Sequence, residues 1–398
     1  MRASSDYDCL RPPDITDLAY SICSPLSGWR GFALALSALA LAACSPARLT
    51  EAARLLADVA AGPGPSALKE TTPAPRRIPV RYAVDGRWHG ADLYLPPEGF
   101  GARLVIVPGA AEAGKDDPRL VAFAESFARA RFAVLVPDIG RLRALQVSAA
   151  DARDIADALI WLSAQEGGPD GAEVGLAAIS YAVGPAVLAA LDPAVAPRLR
   201  FLLGVGGYYD ITAAIAFATT GWYREPDGEW RRREPNAYGK WLFVLGNAGR
   251  LRDPEDAGIL REMAERRLAD PAADLADLMV RLGPEGRAVM DLLANADPAR
   301  VPALIAALPE SIRAEIAALD LSRRDLSRLH ARLYLVHGRD DAIIPHAESV
   351  ALAAAAPEAE LYLVDGLMHV DLAPGLGDSL TLLAAAYALL LERDRMAE

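Results

Sequence analysis

The sequence predicts an α/β fold: a mostly parallel sheet with helices on both faces and a helical insertion. Three observations carry this. Short apolar runs alternate with helical patterns over residues 78–210. Parallel strands need such crossovers, because they cannot be joined by tight turns. The alternation stops over 211–329, where the pattern is helical. It resumes over 330–398.

Composition sets the outer bounds. The 398 residues are 53% apolar, enough for a sizeable core. The formal net charge of −12 argues against binding nucleic acid or an anionic membrane through surface charge. There is no zinc-type cysteine spacing and no His-Glu-x-x-His, so no metal or cofactor is expected. Cys9, Cys23 and Cys44 all precede the folded part and make no disulfide framework for it.

The N-terminal 1–43 reads as a signal region. Arg30 precedes the apolar run Phe32–Ala43, whose 12 residues are too few to span a bilayer as a helix. The acidic 1–29 stretch does not read as an n-region, which fits a translation start nearer Arg30. Leu41-Ala42-Ala43-Cys44 resembles a bacterial lipobox. That resemblance implies export across the inner membrane and a lipid anchor on Cys44. With Ser45 next, rather than Asp, it implies the outer membrane. An ordinary signal peptide is the alternative. Residues 46–61 can form one helix with Leu49, Leu55, Leu56 and Val59 on its apolar side, and 62–77 reads as a Pro/Gly/Thr-rich linker.

The first part of the core, 78–210, then unfolds in order. IPVRYAV and RWHGADLYLP read as strands joined by an Asp85-Gly86 hairpin turn. Arg103–Val107 is a buried strand ending in Pro108-Gly109-Ala110. A helix over 118–130, a strand over 132–136 and a helix over 148–164 follow. Val174–Ile179 is the next strand, and Ser180 leads from it into a helix over 181–191. The string Ala178-Ile179-Ser180-Tyr181-Ala182 is a relaxed form of the nucleophile-elbow pattern G-x-S-x-G, with alanine for glycine. Serine is also a favoured helix N-cap. Nothing inside 173–189 separates the two readings. Pro185 removes one N–H early in that helix. A strand over 200–205 ends in Gly206-Gly207-Tyr208-Tyr209-Asp210.

Residues 211–329 read as a helical cap opened by an aromatic-rich loop with Trp222, Tyr223, Trp230, Tyr238 and Trp241. Leu275, Leu278, Met279 and Leu282 have helical spacing. Asp253-Pro254, Asp270-Pro271 and Asp297-Pro298 each read as an N-cap followed by proline at the first helical position. Arg231-Arg232-Arg233 reads as solvated. The second core part, 330–398, holds a strand over 332–336, His337-Gly338-Arg339-Asp340-Asp341-Ala342-Ile343-Ile344-Pro345, and a helix over 347–356. A strand over 360–364, Gly366-Leu367-Met368-His369 and a helix over 376–392 complete it.

Ser180, Asp341 and His369 thus stand in chain order at three successive strand ends. With H-G-x-D-D-x-x-x-P and G-x-x-H, this resembles an α/β-hydrolase over about residues 78–395. The resemblance implies that Ser180 is the nucleophile, His369 the general base and Asp341 the acid that orients the imidazole. Asp210 is the rival acid, since some members carry it after the preceding strand. The implied oxyanion donors are the N–H groups of Tyr181 and Ala110, with Pro108 standing where many members have histidine. His337, His346 and His330 read as packing. The expected activity is cleavage of a small ester-like substrate through an acyl-enzyme. A peptidase of the proline-iminopeptidase type, a dienelactone-hydrolase-like enzyme and a thioesterase share the triad. A silent, membrane-tethered binding protein is the rival of another class.

Overall fold

The computed structural model describes residues 45–146, 148–165, 173–368, 371–372 and 376–397. The signal region, Cys44 and His369 lie outside the described residues.

The sheet is assembled from β1 (Arg76–Val84), β2 (Arg87–Leu95), β3 (Ala102–Val107), β4 (Phe132–Pro137), β5 (Val174–Ile179) and β6 (Leu199–Val205). After a small hairpin, β7 (Trp222–Arg224) and β8 (Trp230–Arg232), it continues with β9 (Arg332–Gly338) and β10 (Ala359–Val364). The spatial order is β1-β2-β4-β3-β5-β6-β9-β10. β2 pairs antiparallel with β1 and β4, and the other pairs are parallel. This order, with β2 reversed, is that of the α/β-hydrolase fold. Asp85 and Gly86 both have positive φ, 47° and 79°, as a type I′ hairpin turn requires.

The central strands are apolar at every position because both sheet faces are covered. Val105, Leu176 and Leu335 point to one face, where they meet Ile155 and Leu159 of helix Asp151–Ser163 and Val187 of helix Val183–Ala190. Leu104, Ile106 and Tyr334 point to the other. That face is covered by Leu55 of helix Pro46–Ala61, Phe127 of helix Pro118–Arg129 and Leu389 of helix Leu376–Ala397.

The N-terminal helix is therefore part of the core. Arg393 pairs with Glu51, and Arg48 Nε donates to Asp394 at 2.8 Å. The linker expectation for 62–77 fails. Ser66 caps a short helix, Ala67–Thr71, and β1 already begins at Arg76. Asp58 is fully buried and accepts from Lys69 Nζ at 2.7 Å and Ser126 Oγ at 2.7 Å. A buried carboxylate needs such partners. Its side chain ties this segment down in a way that composition does not reveal.

Among the described residues, the main sheet gains no strand between β6 and β9. Helix Ile211–Thr220, the β7–β8 hairpin and helices Ala237–Asn247, Pro254–Ala269, Pro284–Leu293, Val301–Ala307 and Glu310–Leu319 fill the gap. Val244, Leu260, Met263, Leu278 and Met290 form a small core of their own. Several local expectations change here. The aromatic-rich stretch holds a hairpin rather than a plain loop. The 275–282 segment is helical only over Ala276–Met279, and Met279 is exposed while Leu275, Leu278 and Leu282 are buried. Asp253 and Asp297 cap as expected, but Asp270 ends a helix and Pro271 begins none. An aspartate there serves a turn, accepting the Ala272 N–H at 2.9 Å.

Candidate functional site

Strand β5 delivers Ser180 to the carboxyl edge of the sheet. Ser180 has φ of 59°, the left-handed region. A non-glycine residue held there costs about 1–3 kcal/mol, and such strain concentrates at functional positions. Its side chain caps neither the single 3₁₀ turn Ser180–Ala182 nor helix Val183–Ala190. The helix-cap alternative for Ser180 is therefore removed. Ala178 and Ala182 are completely buried beside it, so the elbow is as crowded as the small-residue pattern requires. Pro185 sits at the third position of helix Val183–Ala190, where its missing N–H would have no intrahelical acceptor.

Loop 108–110 leaves β3, the neighbour of β5, and lies against the elbow. A β-carbon on Gly109 would stand 3.3 Å from Ser180 Cβ. Ala110, Ser180 and Tyr181 together line a cavity of about 360 Å³. Its remaining walls come largely from the inserted helices, including Ile211, Ile215, Phe243, Leu292 and Ile316. The Tyr181 ring packs on Phe243 at 4.8 Å between centroids, and burial with the nearby Asp341 and Glu348 carboxylates pushes its hydroxyl pKa up. Trp222, Tyr223, Trp230, Tyr238 and Trp241 are absent from the lining. Tyr223 packs instead on Phe217 and His346.

Asp341 follows β9 and is fully buried. Its Oδ1 accepts the N–H groups of Ile343 at 2.7 Å and Ile344 at 3.0 Å. Its Oδ2 faces His337 Nε2 at 3.4 Å. His337 Nε2 also lies 2.9 Å from the Ile344 carbonyl, and Nδ1 lies 2.7 Å from Ser349 Oγ. The carbonyl can only accept, so Nε2 carries a proton and donates to it. His337 thus packs inside the loop that follows β9, as its position on the strand suggested. Arg233 Nη1 donates to the carbonyls of Arg339 at 2.6 Å and Asp341 at 3.1 Å. Arg233 is therefore bound to the loop after β9, not solvated, while Arg231 pairs with Glu229 on the surface.

Asp210 occupies a different place. Its Oδ1 accepts the N–H groups of Thr212 at 2.8 Å and Ala213 at 3.2 Å, capping helix Ile211–Thr220. Glu348, which the sequence did not single out, holds the same loop. Its Oε2 accepts from Tyr209 N at 2.9 Å and Asp210 N at 2.8 Å. Burial pushes the Glu348 carboxyl up to about 7, against the lowering effect of those N–H groups. The only sequence signal for Glu348 is a glutamate in the first turn of helix Ala347–Ala355.

His369 and Val370 lie outside the described residues, but the short strands on either side of them do not. Leu367–Met368 pairs antiparallel with Asp371–Leu372. A β-carbon on Gly338 would run into the Leu367 carbonyl, so only glycine allows this close approach at the end of β9. Among the described residues, no cluster of three His, Cys, Asp or Glu side chains could hold a metal ion.

No protein-family model and no curated protein matches the chain. Solved structures resemble it at low identity. A 2,6-dihydroxy-pseudo-oxynicotine hydrolase is 13% identical, over 80% of this chain and 69% of that one, with a TM-score of 0.45. Est1E from Butyrivibrio proteoclasticus is 13% identical, over 79% and 98%, with a TM-score of 0.41. A dienelactone hydrolase from Anabaena variabilis is 13% identical, over 80% and 98%, with a TM-score of 0.43. The strand order, not these likenesses, identifies the fold.

Proposed function

We propose that the protein is a serine hydrolase that cleaves an ester-like substrate through an acyl-enzyme on Ser180. The observation that carries this reading is the left-handed backbone of Ser180 at a buried strand-to-helix elbow, opening onto a largely apolar cavity. Strain at a serine that caps no helix has no structural use that its neighbours reveal. A nucleophile elbow gives it one, by lifting the hydroxyl out of the strand toward the substrate.

In this reading His369 takes the Ser180 proton as Oγ attacks the acyl carbon, and returns it to the leaving alcohol. Asp341 accepts from the imidazole and holds its tautomer. The Tyr181 N–H, at the start of a helix where no intrahelical acceptor exists, and the Ala110 N–H receive the oxyanion. Water then repeats the cycle on the acyl-enzyme. The approach of the Leu367 backbone to Gly338 supports the pairing of His369 with Asp341, because it brings the two loops together. Asp210 is the poorer acid, being engaged as a helix cap.

A fluorophosphonate probe is expected to label the wild type and not Ser180→Ala, read by mass shift of the intact protein. Folded wild type that stays unlabelled would sink the proposal and favour a silent scaffold.

A further inference from the structure

The cavity above Ser180 has in its wall a lysine with no ion-pair partner among the described residues. Helix Ala237–Asn247 turns one face to it, with Gly239, Lys240, Phe243 and Asn247 in the lining. The other charged groups in the wall are matched. Arg250 Nη1 binds Glu315 at 2.9 Å, and Arg250 Nε donates to Asn247 Oδ1 at 2.8 Å. The second oxygen of Glu315 accepts from Ser148 Oγ at 3.0 Å and Ala149 N at 2.7 Å.

Lys240 differs. Its Nζ has the Leu293 carbonyl at 3.4 Å, a long contact for a hydrogen bond. Among the described residues, no carboxylate lies within ion-pair distance of it. Burial lowers its pKa, with attraction from Glu234 too weak to reverse the effect and Arg267 adding to it. An ammonium in a mostly apolar wall is costly unless something pairs with it.

We propose that Lys240 receives a carboxylate of the substrate, so that the substrate class is an ester whose apolar body ends in an acid. This rests on the reading of Ser180 as the nucleophile. A carboxylate supplies the charge-assisted partner that the protein omits. One lysine matches one negative charge. A phosphate dianion would call for a second cation, and Arg250 is already committed to Glu315. Ile215, Leu292 and Ile316 take the apolar body between the two ends.

The test compares p-nitrophenyl hemi-esters of adipic, suberic and sebacic acid with the same compounds methyl-capped at the free acid. The wild type should favour at least one hemi-ester by about tenfold or more in kcat/KM, the scale of one hydrogen bond to a charged group. Lys240→Met should erase that preference through KM, and Lys240→Arg should retain it. Lys240→Gln replaces the methionine variant if that one does not fold. A wild type with no preference at any length, or a preference that survives loss of the ammonium, overturns the assignment. Fluorophosphonate labelling of the same samples checks the Ser180 reading separately. Calorimetry on Ser180→Ala and on Ser180→Ala with Lys240→Met needs no turnover and decides the Lys240 assignment either way. Monomethyl suberate should bind the first about tenfold more tightly than dimethyl suberate, and the second equally weakly. Equal binding of both compounds to the first overturns it.

Discussion

Strands β6 and β9 are neighbours in the sheet, and each ends in a loop with an aspartate. Asp210 turns toward the helix that follows it and caps two N–H groups. Asp341 starts no such helix. It is fully buried, and its own loop supplies the two N–H groups that fix one oxygen. The second oxygen faces His337 inside the same fold. Arg233, reaching across from the end of the inserted hairpin, holds the carbonyls on either side of the turn. Glu348 links the two loops, since it sits after β9 yet accepts the N–H groups of Tyr209 and Asp210 after β6. A shared position at a sheet edge therefore does not set a role. What the local backbone leaves of each carboxylate sets it.

The sharpest break of this contrast is Asp341→Asn against Asp210→Asn, once an ester substrate is in hand. On the proposed assignment, loss of the Asp341 carboxylate is expected to lower kcat by roughly 10⁴-fold, as in serine triads generally. Asp210→Asn should stay within a few fold, since asparagine also caps. Equal losses would make the two loops equivalent and return the choice of acid to open ground.

Next in size is Glu348. Its carboxyl is raised to about 7 in the fold, above the ordinary value of 4.5. The fold thus prefers the protonated form. The corresponding stability is fully present below pH 4.5 and is lost as pH rises through about 7. Glu348→Gln keeps an oxygen for both N–H groups but cannot ionise. Urea unfolding should show the wild type losing up to about 3 kcal/mol relative to this variant between pH 4.5 and 8. Parallel pH profiles would show that the β6 loop is not held by an ionisable group.

The smallest effect concerns the cap alone. Asp210→Ala should cost about 1 kcal/mol in the same unfolding assay, by leaving two helix N–H groups without their side-chain acceptor. A cost beyond about 3 kcal/mol would mean that Asp210 does more than cap.

The legible part of this molecule is its strands. Continuous apolar runs such as Leu104–Val107 and Leu333–Val336 announce a two-sided burial that few other settings demand. The chain order of Ser180, Asp341 and His369 could be read because each follows such a run. The illegible part depends on distant partners. Nothing near 62–77 announces that Asp58 will gather Lys69 and Ser126. The arginine triplet looks uniform, yet Arg233 alone binds the loop after β9. The aromatics of 222–241 stay out of the cavity wall, which Ile211, Ile215, Phe243, Leu292 and Ile316 help to form instead.

By itself, the sequence determined the α/β class, the place of the insertion and the string around Ser180, because periodicity and turn chemistry act over a few residues. Only the tertiary structure decided that Ser180 carries a left-handed backbone instead of a helix cap. It also decided that Asp210 caps, and that Lys240 lines a cavity with no carboxylate within ion-pair distance among the described residues. Those outcomes depend on which groups, tens to hundreds of residues apart, arrive within a few ångströms once the sheet closes.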